Sequence, residues 1–263
     1  MKIWCQLPVQ LPMPDFAPFD KLVREHYELV KGPDTELEIR DVVTGLLPGS
    51  MSYLGLKQIQ DREIMKSMLQ AERQGYDAVA GACFTDSGIL AARSLMDIPV
   101  VGAAESAMYL ARLMGSSFAI ITTNPQNLPG IEQQIREFEM QPFFLRNRPV
   151  RYLENRESFW PDLLGGAHAA IIEVFRDAAQ KCIEDGADVL IVGCGALAPL
   201  LTLNGVREVD GVPIVDPVQS ALKFAELMVS FRRSGMPVRS HRGIFLKAPK
   251  EYLESAYRML GLD

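Results

Sequence analysis

Two stretches of this chain repeat each other, and this repeat constrains the fold more than any other feature of the sequence. Residues 75–83 align without a gap on residues 186–194, and each stretch is an apolar run that ends in a cysteine, Cys83 or Cys194. Residues 98–107 match residues 212–221 in the same way, with three extra residues before the second copy. The repeat predicts two copies of one supersecondary unit, with the two thiols in related positions from which they can face one cleft.

Short apolar runs alternate with segments of helical period, the pattern of βα units on parallel sheets. In the first half the sequence predicts strands at residues 2–7, 35–43, 78–82 and 99–102, and helices at 19–31, 56–74, 88–95 and 106–114. In the second half it predicts strands at 117–122, 150–153, 188–192 and 212–215, and helices at 129–138, 169–184, 198–203, 221–231 and 249–260. In each half the first strand, the strand that ends at the cysteine and the short strand at 99–102 or 212–215, which we call the Pro99-type strand, should be neighbours. Ligands then gather at their carboxyl ends, where both cysteines lie.

Composition narrows the classes of partner. The net charge is −6, and no dense cluster of Lys and Arg appears, which argues against nucleic acid and against an anionic membrane surface. No apolar stretch approaches the roughly 20 residues of a membrane helix, and the first residues lack the pattern of a secretory signal. We therefore expect a cytoplasmic protein that acts on a small-molecule substrate.

The remaining cysteines and the histidines do not suggest a metal site. No CxxC pair occurs, and the three histidines are not spaced as ligands, so we expect no metal. The glycine-containing loops form neither GxGxxG nor a P-loop, so a nucleotide cofactor has no support. Cys182 falls on the buried face of a helix and Cys5 lies in the first strand, and for both we expect a packing role.

Both repeated cysteines stand just past a strand, in loops that leave backbone N–H groups free near a helix start. Such a position lowers the pKa of a thiol and can bind a substrate carbonyl. The polar loop 85–88 follows Cys83, and its Asp86 and Ser87 are expected to cap the next helix. Gly195 and Ala196 follow Cys194.

Further polar residues lie at the same strand ends. Thr122 and Thr123 fit either strand-end turn chemistry or hydroxyl donors aimed at a ligand. Gln6 could orient a polar substrate from the first loop. Glu105 and Gln219 occupy matched positions and are expected to cap helices.

Two opposed thiols permit one particular chemistry. A thiolate on one face of a carbon acid can remove a proton while a thiol on the other face returns one, which inverts the stereocentre. Backbone amides of the two loops, helped by Thr122 or Thr123, would hold the developing oxyanion.

Residues 83–88, 98–102 and 192–195 resemble the aspartate/glutamate/hydantoin racemase superfamily, and specifically its hydantoin and allantoin racemase branch. The resemblance implies an α/β fold of two Rossmann-like (flavodoxin-like) domains with parallel sheets, related by pseudo-twofold symmetry, with the active site in the cleft between them. It also implies independence of cofactors, a homo-oligomer, and Cys83 and Cys194 as the acid/base pair. Thr122 and Thr123 match its ligand-binding threonine pair, and Ser50 its serine-bearing loop.

We expect one domain from residues 1–104 plus 216–263 and a second from residues 105–215. Phe84 stands where amino-acid racemases of the superfamily carry Asn, which favours a ring or neutral substrate. The sequence thus predicts a racemase of a 5-substituted hydantoin or related cyclic ureide. The alternatives are a cis-trans isomerase of a maleate-type acid, an amino-acid racemase and a ligand-binding protein without catalysis. The predicted substrate-binding residues are Phe84, Thr85, Thr122, Thr123, Gly195, Ala196, Gln6 and Ser50.

Overall fold

The computed structural model describes residues 1–10, 16–42, 46, 49–154 and 159–262. The described strands form two sheets. The first has the order β2-β1-β3-β4, built from β1 (Lys2–Gln6), β2 (Glu36–Arg40), β3 (Ala78–Gly81) and β4 (Val100–Val101). The second has the order β6-β5-β7-β9-β8, built from β5 (Phe118–Thr122), β6 (Val150–Tyr152), β7 (Val189–Val192), β8 (Glu208–Val209) and β9 (Val212–Val215). All of these strands pair in parallel except β8, which pairs antiparallel with β9.

The two sheets share one strand order, which confirms that the first, cysteine-bearing and Pro99-type strands are neighbours in each half. The repeat extends to single hydrogen bonds. Asp77, just before β3, accepts a bond from the N–H of Lys2 at 2.8 Å. Asp188, just before β7, accepts one from the N–H of Ser117 at 2.7 Å. In each half an aspartate thus fixes the start of the neighbouring strand.

The predicted helices are all present, with ends that move by a few residues. The described helices are α1 (Ala17–Val30), α2 (Leu54–Arg73), α3 (Ile89–Leu95), α4 (Ala103–Met114), α5 (Leu128–Glu137), α6 (Phe159–Leu164), α7 (His168–Glu184), α8 (Leu197–Leu203), α9 (Pro217–Arg233) and α10 (Lys250–Leu260). No described helix has both the length and the apolar character needed to cross a membrane.

Helix α6 and strand β8 were not predicted from the sequence. The sequence does contain a signal for β8, the Asp210-Gly211 pair between β8 and β9. In the structure both residues have positive φ, 49° and 78°. An Asp-Gly pair with that backbone forms the tight turn of a two-residue hairpin. The predicted strand at 35–43 ends at Arg40, and its last residue lies outside the described part of the chain.

Helices cover both faces of each sheet, as parallel sheets require. Residues of α2 and α3 cluster on one face of the first sheet, and residues of α1 and α9 lie on the other. In the second sheet, α4 and α5 cover one face while α7 and α8 cover the other.

The last helix of each repeat packs on the sheet of the other half. Helix α4 follows β4 of the first sheet but packs on β7, and α9 follows β9 of the second sheet but packs on β3. The two helices also contact each other. This exchange joins the halves through a shared apolar layer. The predicted domains, 1–104 plus 216–263 and 105–215, likewise group α9 with the first sheet and α4 with the second. The boundaries of these domains stay a prediction.

Buried Asp216 ties three helices together. Its carboxylate accepts bonds from the backbone N–H groups of Val218 and Gln219, both at 2.9 Å, and so caps α9. It also contacts Nε2 of fully buried His26 on α1 at 2.7 Å and accepts the hydroxyl of Thr202 on α8 at 2.6 Å. Burial alone would raise the pKa of Asp216, but these hydrogen bonds outweigh burial and lower it. No role for His26 was predicted from the sequence.

Helix α4 is capped in a different way, and this corrects two predictions. Asp86, at φ 46°, accepts bonds from the N–H groups of Ala104 and Glu105 at 3.0 and 2.9 Å, so it caps α4 and not the helix that follows it. Glu105 is not a cap, because its carboxylate pairs with Arg93 at 3.1 and 2.5 Å. Burial raises the pKa of Asp86 to about 7, although the two N–H bonds oppose that shift.

The Asp216 network predicts a large loss of stability when its carboxylate is removed. Asp216→Ala would leave His26 and Thr202 buried without their partner and would uncap α9, at a cost of about 3 kcal/mol. Urea unfolding followed by circular dichroism measures this free energy. Glu254→Ala is the control, since it removes an exposed pair with Lys250 on α10 and should cost no more than about 0.5 kcal/mol. Equal losses in the two variants would contradict the assignment.

Candidate active site

The two cysteine loops touch through their backbones. Cys83 follows β3 and Cys194 follows β7. A Cβ atom placed on Gly195 would lie only 1.8 Å from the carbonyl oxygen of Ala82 and 3.7 Å from Cγ2 of Val218. Because no side chain fits there, glycine lets the loop after Cys194 rest directly on the residue before Cys83. The predicted meeting of the two loops therefore depends on one backbone contact.

Cys83 is held by a short chain of hydroxyl groups. Its Sγ lies 3.0 Å from Oγ1 of Thr85, and that oxygen lies 2.6 Å from Oγ of Ser87. The backbone N–H of Thr85 also donates to the sulfur. Thr85 was predicted to be at the site, whereas buried Ser87 was predicted only as part of a helix cap with Asp86.

Cys194 has the same kind of surroundings, built from other residues. The backbone N–H groups of Ala196 and Leu197 donate to its sulfur, and the side chain of Thr123 bonds to it as well. Each thiol therefore has one threonine hydroxyl and the N–H of the residue two positions along. The structure places Thr85, Thr123 and Ala196 beside the sulfurs.

The pKa values shift in the direction opposite to the sequence expectation. Burial raises the pKa of both Cys83 and Cys194, and the hydrogen bonds to each sulfur only partly offset it. A charge on Cys194 raises the pKa of Cys83 further, while the ammonium of Lys57 lowers it. Both cysteines are therefore favoured in the protonated thiol form. Once one of them is a thiolate, its negative charge makes the other harder to deprotonate. The pair is suited to one base and one acid.

Thr122 does not serve as a free hydroxyl donor. It is fully buried, it donates to the carbonyl oxygen of Gly193 at 3.0 Å, and it accepts from Nδ2 of Asn127 at 3.0 Å. Oγ of Ser52 in turn donates to Oδ1 of Asn127 at 2.5 Å. This chain links a turn of the first half to the carbonyl just before Cys194. Asn127 and Ser52 were missed because nothing local in the sequence connects them to the cysteine loop.

The side chains of two predicted binding residues, Phe84 and Gln6, are buried in the protein. The side chain of Phe84 is 2% exposed and packs in the apolar cluster of the second half with Phe118 and Ile131. Gln6 is also 2% exposed, and its amide bonds to the indole of Trp4 and to the carbonyls of Leu7 and Arg40. Neither side chain is available to a ligand in this arrangement.

The other candidates lie as follows. Ser50 begins a short 3-10 helix, Ser50–Ser52, whose last residue forms the bond to Asn127. Cys5 and Cys182 are fully buried, and burial raises the pKa of each to about 12, so both are packing residues at neutral pH. Within the described residues, no group of His, Cys, Asp and Glu side chains could hold a metal ion.

The sequence and the fold of this chain are both similar to those of known racemases. A family model described as Asp/Glu/hydantoin racemase matches residues 26–225. A hydantoin racemase from Pseudomonas sp. (strain NS671) is 30% identical over 182 residues, which cover 68% of this chain and 69% of that protein. Allantoin racemase from Klebsiella pneumoniae superposes with a TM-score of 0.75 at 24% identity, over 99% of this chain and 98% of that one. Allantoin racemase from Pseudomonas fluorescens gives 0.74 at 26% identity, over 95% and 98%. The predicted α/β fold class is confirmed.

The contact at Gly195 predicts a sharp steric effect. Gly195→Ala would force the two cysteine loops apart, because the new methyl group would overlap the Ala82 carbonyl, and we expect a loss of about 2 kcal/mol in unfolding free energy. Gly130→Ala is the matched control, since a Cβ atom there meets nothing within 4 Å. Thermal and urea unfolding of both variants measure the difference. A Gly195→Ala protein as stable as the wild type would show that the loops do not touch.

Lys57 should tune the reactivity of Cys83. Lys57→Met removes a positive charge that favours the thiolate, so the pKa of Cys83 rises and the reactive fraction at fixed pH falls. In a Cys194→Ser background, alkylation of Cys83 by iodoacetamide at pH 8 should slow by roughly threefold. Arg62→Gln, which removes an exposed charge from the same helix, should leave the rate unchanged. An unchanged rate in Lys57→Met would refute this role.

Proposed function

The chain belongs to the Asp/Glu/hydantoin racemase family, and we propose that it is a cofactor-independent racemase of a 5-substituted hydantoin or a related cyclic ureide. The observation that carries the proposal is the matched pair of thiols, Cys83 and Cys194, on loops that touch at Gly195. A racemase that uses the two-base mechanism places one acid/base group on each face of the acidic carbon. Two equivalent loops from two related halves meet that need.

The proposed reaction is a transfer of two protons. One cysteine, as thiolate, removes the proton from C5 of the ring, and the electron pair of that C–H bond moves onto the adjacent carbonyl oxygen. The other cysteine, as thiol, then donates its proton to the opposite face of C5 while the enolate collapses. The product has inverted configuration, and thiol and thiolate have exchanged places. The opposite enantiomer uses the same residues in exchanged roles.

The raised pKa values of the two thiols fit this exchange. A thiolate formed in a buried site is a stronger base than one in water, and it is better matched to a weak carbon acid. The repulsion between two negative sulfurs keeps the second cysteine protonated. The hydrogen bonds from Thr85 and Thr123 hold each sulfur in place in both protonation states.

The enolate oxygen needs donors that the thiols do not already use. Among the described residues, the backbone N–H groups of Phe84 and Gly195 donate to no backbone carbonyl in the turns and loops, and each directly follows one of the two cysteines. We assign these two N–H groups to the developing charge. The position of Phe84 therefore contributes through its backbone, while its side chain anchors the loop.

A neutral ring suits the donors around the thiols. The groups that surround the sulfurs are hydroxyls and amides, and the cation Lys57 is held by Asp61 at 2.7 Å. A hydantoin offers carbonyl and N–H groups to such donors without a carboxylate that requires a free cation. The relatives described above carry names of racemases for hydantoin and for allantoin, which is itself a substituted hydantoin.

Racemisation in deuterated water tests the proposal. With optically pure 5-substituted hydantoins, the wild type should invert the stereocentre and place deuterium at C5, after subtraction of the enzyme-free rate. Cys83→Ser and Cys194→Ser should each lower kcat by at least about 10³-fold, because each removes an acid/base group. Cys182→Ser, which alters a thiol outside the site, should keep its activity.

Other outcomes point to the alternatives. Inversion that survives the loss of both Cys83 and Cys194 would overturn the mechanism. A covalent thioether with maleate, seen by mass spectrometry without deuterium uptake, would instead identify a cis-trans isomerase. Inversion of free aspartate or glutamate but of no hydantoin would identify an amino-acid racemase, and tight binding without turnover would identify a binding protein.

A further inference from the structure

The loop after Cys83 is tethered to a helix that packs on the other half of the molecule. The carboxylate of Asp86 accepts the backbone N–H groups of Ala104 and Glu105 at 3.0 and 2.9 Å. Both groups belong to the first turn of α4, which packs on β7, the strand that leads to Cys194. Asp86 thus joins the loop that carries one thiol to the structure that supports the other.

The tether acts on the residues that hold the sulfur of Cys83. Asp86 lies between Thr85 and Ser87, whose hydroxyl groups form the chain to that sulfur. The backbone N–H of Asp86 also donates to the carbonyl oxygen of Cys83 at 3.1 Å, which closes the turn. A shift of Asp86 would therefore move the sulfur of Cys83 and both hydroxyls that hold it.

The second half builds the same helix cap without a tether. Asp216 is the N-cap residue of α9, its backbone is extended, and its side chain accepts the first N–H groups of its own helix. Gly102 is the corresponding N-cap residue of α4, and its backbone is extended as well. Because glycine has no side chain, the first half takes its capping carboxylate from the cysteine loop.

The supply of this carboxylate from the loop is unfavourable in two respects. Asp86 has φ 46°, in the left-handed region that residues other than glycine rarely adopt. Burial raises the pKa of Asp86 to about 7, whereas at Asp216 the hydrogen bonds outweigh burial and lower the pKa. An aspartate at position 102 would cap α4 without the strained backbone. Capping alone therefore does not explain why the loop provides this group.

We propose that Asp86 is a positioning residue for Cys83, whose carboxylate fastens the cysteine loop to α4 and so sets the first thiol against the second. The inference rests on the proposed racemase function, in which the two sulfurs reach C5 from opposite faces. Asp86 takes up no proton from the substrate in this scheme and acts only through the loop. A displacement of about 1 Å at a reacting group is enough to lower a rate by roughly 10²-fold.

Two variants separate positioning from capping. Asp86→Gly removes both the tether and the cap, and glycine adopts φ 46° without strain. Asp86→Gly combined with Gly102→Asp returns a carboxylate to the N-cap position, as in the second half, but does not return the tether. A Cβ atom on Gly102 would lie 2.5 Å from the Asp86 carboxylate, so the first substitution makes room for the second.

Asp210→Gly is the matched control. Asp210 has φ 49° and lies in the exposed turn between β8 and β9, so this variant makes the same chemical change at the same kind of backbone away from the cysteine loops. It should leave the melting temperature and kcat unchanged.

The first measurements are the melting temperature and the kinetics with 5-benzylhydantoin and 5-methylhydantoin. Asp86→Gly should lower the melting temperature by about 3 °C because it uncaps α4, and the double variant should recover to within about 1 °C of the wild type. In Asp86→Gly, kcat should fall by about 10²-fold with KM within about threefold. In the double variant kcat should stay at least about tenfold below the wild type.

Proton exchange in deuterated water distinguishes a misplaced Cys83 from a general loss of activity. For the enantiomer whose C5 proton faces Cys194, that sulfur still removes the proton, but Cys83 no longer returns one efficiently to the opposite face. After its S–H has exchanged with solvent, Cys194 gives a deuteron back to the face that it deprotonated. In Asp86→Gly, the ratio of exchange without inversion to inversion should therefore rise at least about fivefold for this enantiomer and not for the other.

Chiral chromatography with mass spectrometry of the recovered substrate measures this ratio. Recovery of both the melting temperature and kcat in the double variant would overturn the inference, because Asp86 would then be only a helix cap. Wild-type kcat in Asp86→Gly, or equal exchange ratios for the two enantiomers, would overturn it as well.

A second variant keeps the test informative if Asp86→Gly does not fold. Asp86→Asn keeps one acceptor oxygen and tolerates the left-handed backbone, and it should show the same one-sided exchange. Equal exchange for both enantiomers in this variant would overturn the inference. A wild-type protein that neither inverts nor exchanges either hydantoin would instead count against the proposed function.

Discussion

The contact between Gly195 and the carbonyl oxygen of Ala82 sets the separation of the two cysteine loops, and the rest of the site depends on it. Only a residue without a side chain can make this contact, since a Cβ atom would fall 1.8 Å from the oxygen. The two halves are also joined by α4 and α9, because each of these helices packs on the sheet of the other half and the two helices contact each other. The backbone contact at Gly195 and the packing of α4 and α9 together fix the relative position of the two cysteine loops.

The two halves meet the same structural demand with different residues. The helix after the Pro99-type strand needs acceptors for its first N–H groups. In the second half Asp216 stands in the chain at that point and caps α9 itself. In the first half the matching residue is Gly102, and a Cβ atom there would lie 2.5 Å from the carboxylate of Asp86, which reaches across and caps α4. A carboxylate occupies the same place in both copies, although only one copy shows it in the aligned sequence.

Much of the fold could be predicted because it is written in local patterns. Apolar runs, helical period and the repeat gave the strands, the helices and the strand order of each sheet. The two cysteines and Thr85 were predicted at strand ends for the same reason, because their loop positions follow directly from the ends of the strands, and their roles stay predictions. The roles of Gln6, Phe84 and Thr122 were not predictable in this way. Each side chain makes contacts with residues distant in sequence, and those contacts decide whether its polar or apolar surface is free.

The sequence by itself determined that two related units carry one thiol each at the carboxyl end of a parallel strand. That follows from periodicity and repetition, which are properties of neighbouring residues. Only the tertiary structure decided that burial raises the pKa of Cys83 and Cys194 instead of lowering it, and that the hydroxyl of Thr122 is occupied by Gly193 and Asn127. Desolvation and hydrogen-bond saturation depend on everything packed around a group, and some of those neighbours, such as Gly193 for Thr122 and Cys194 for Cys83, lie far away in the sequence.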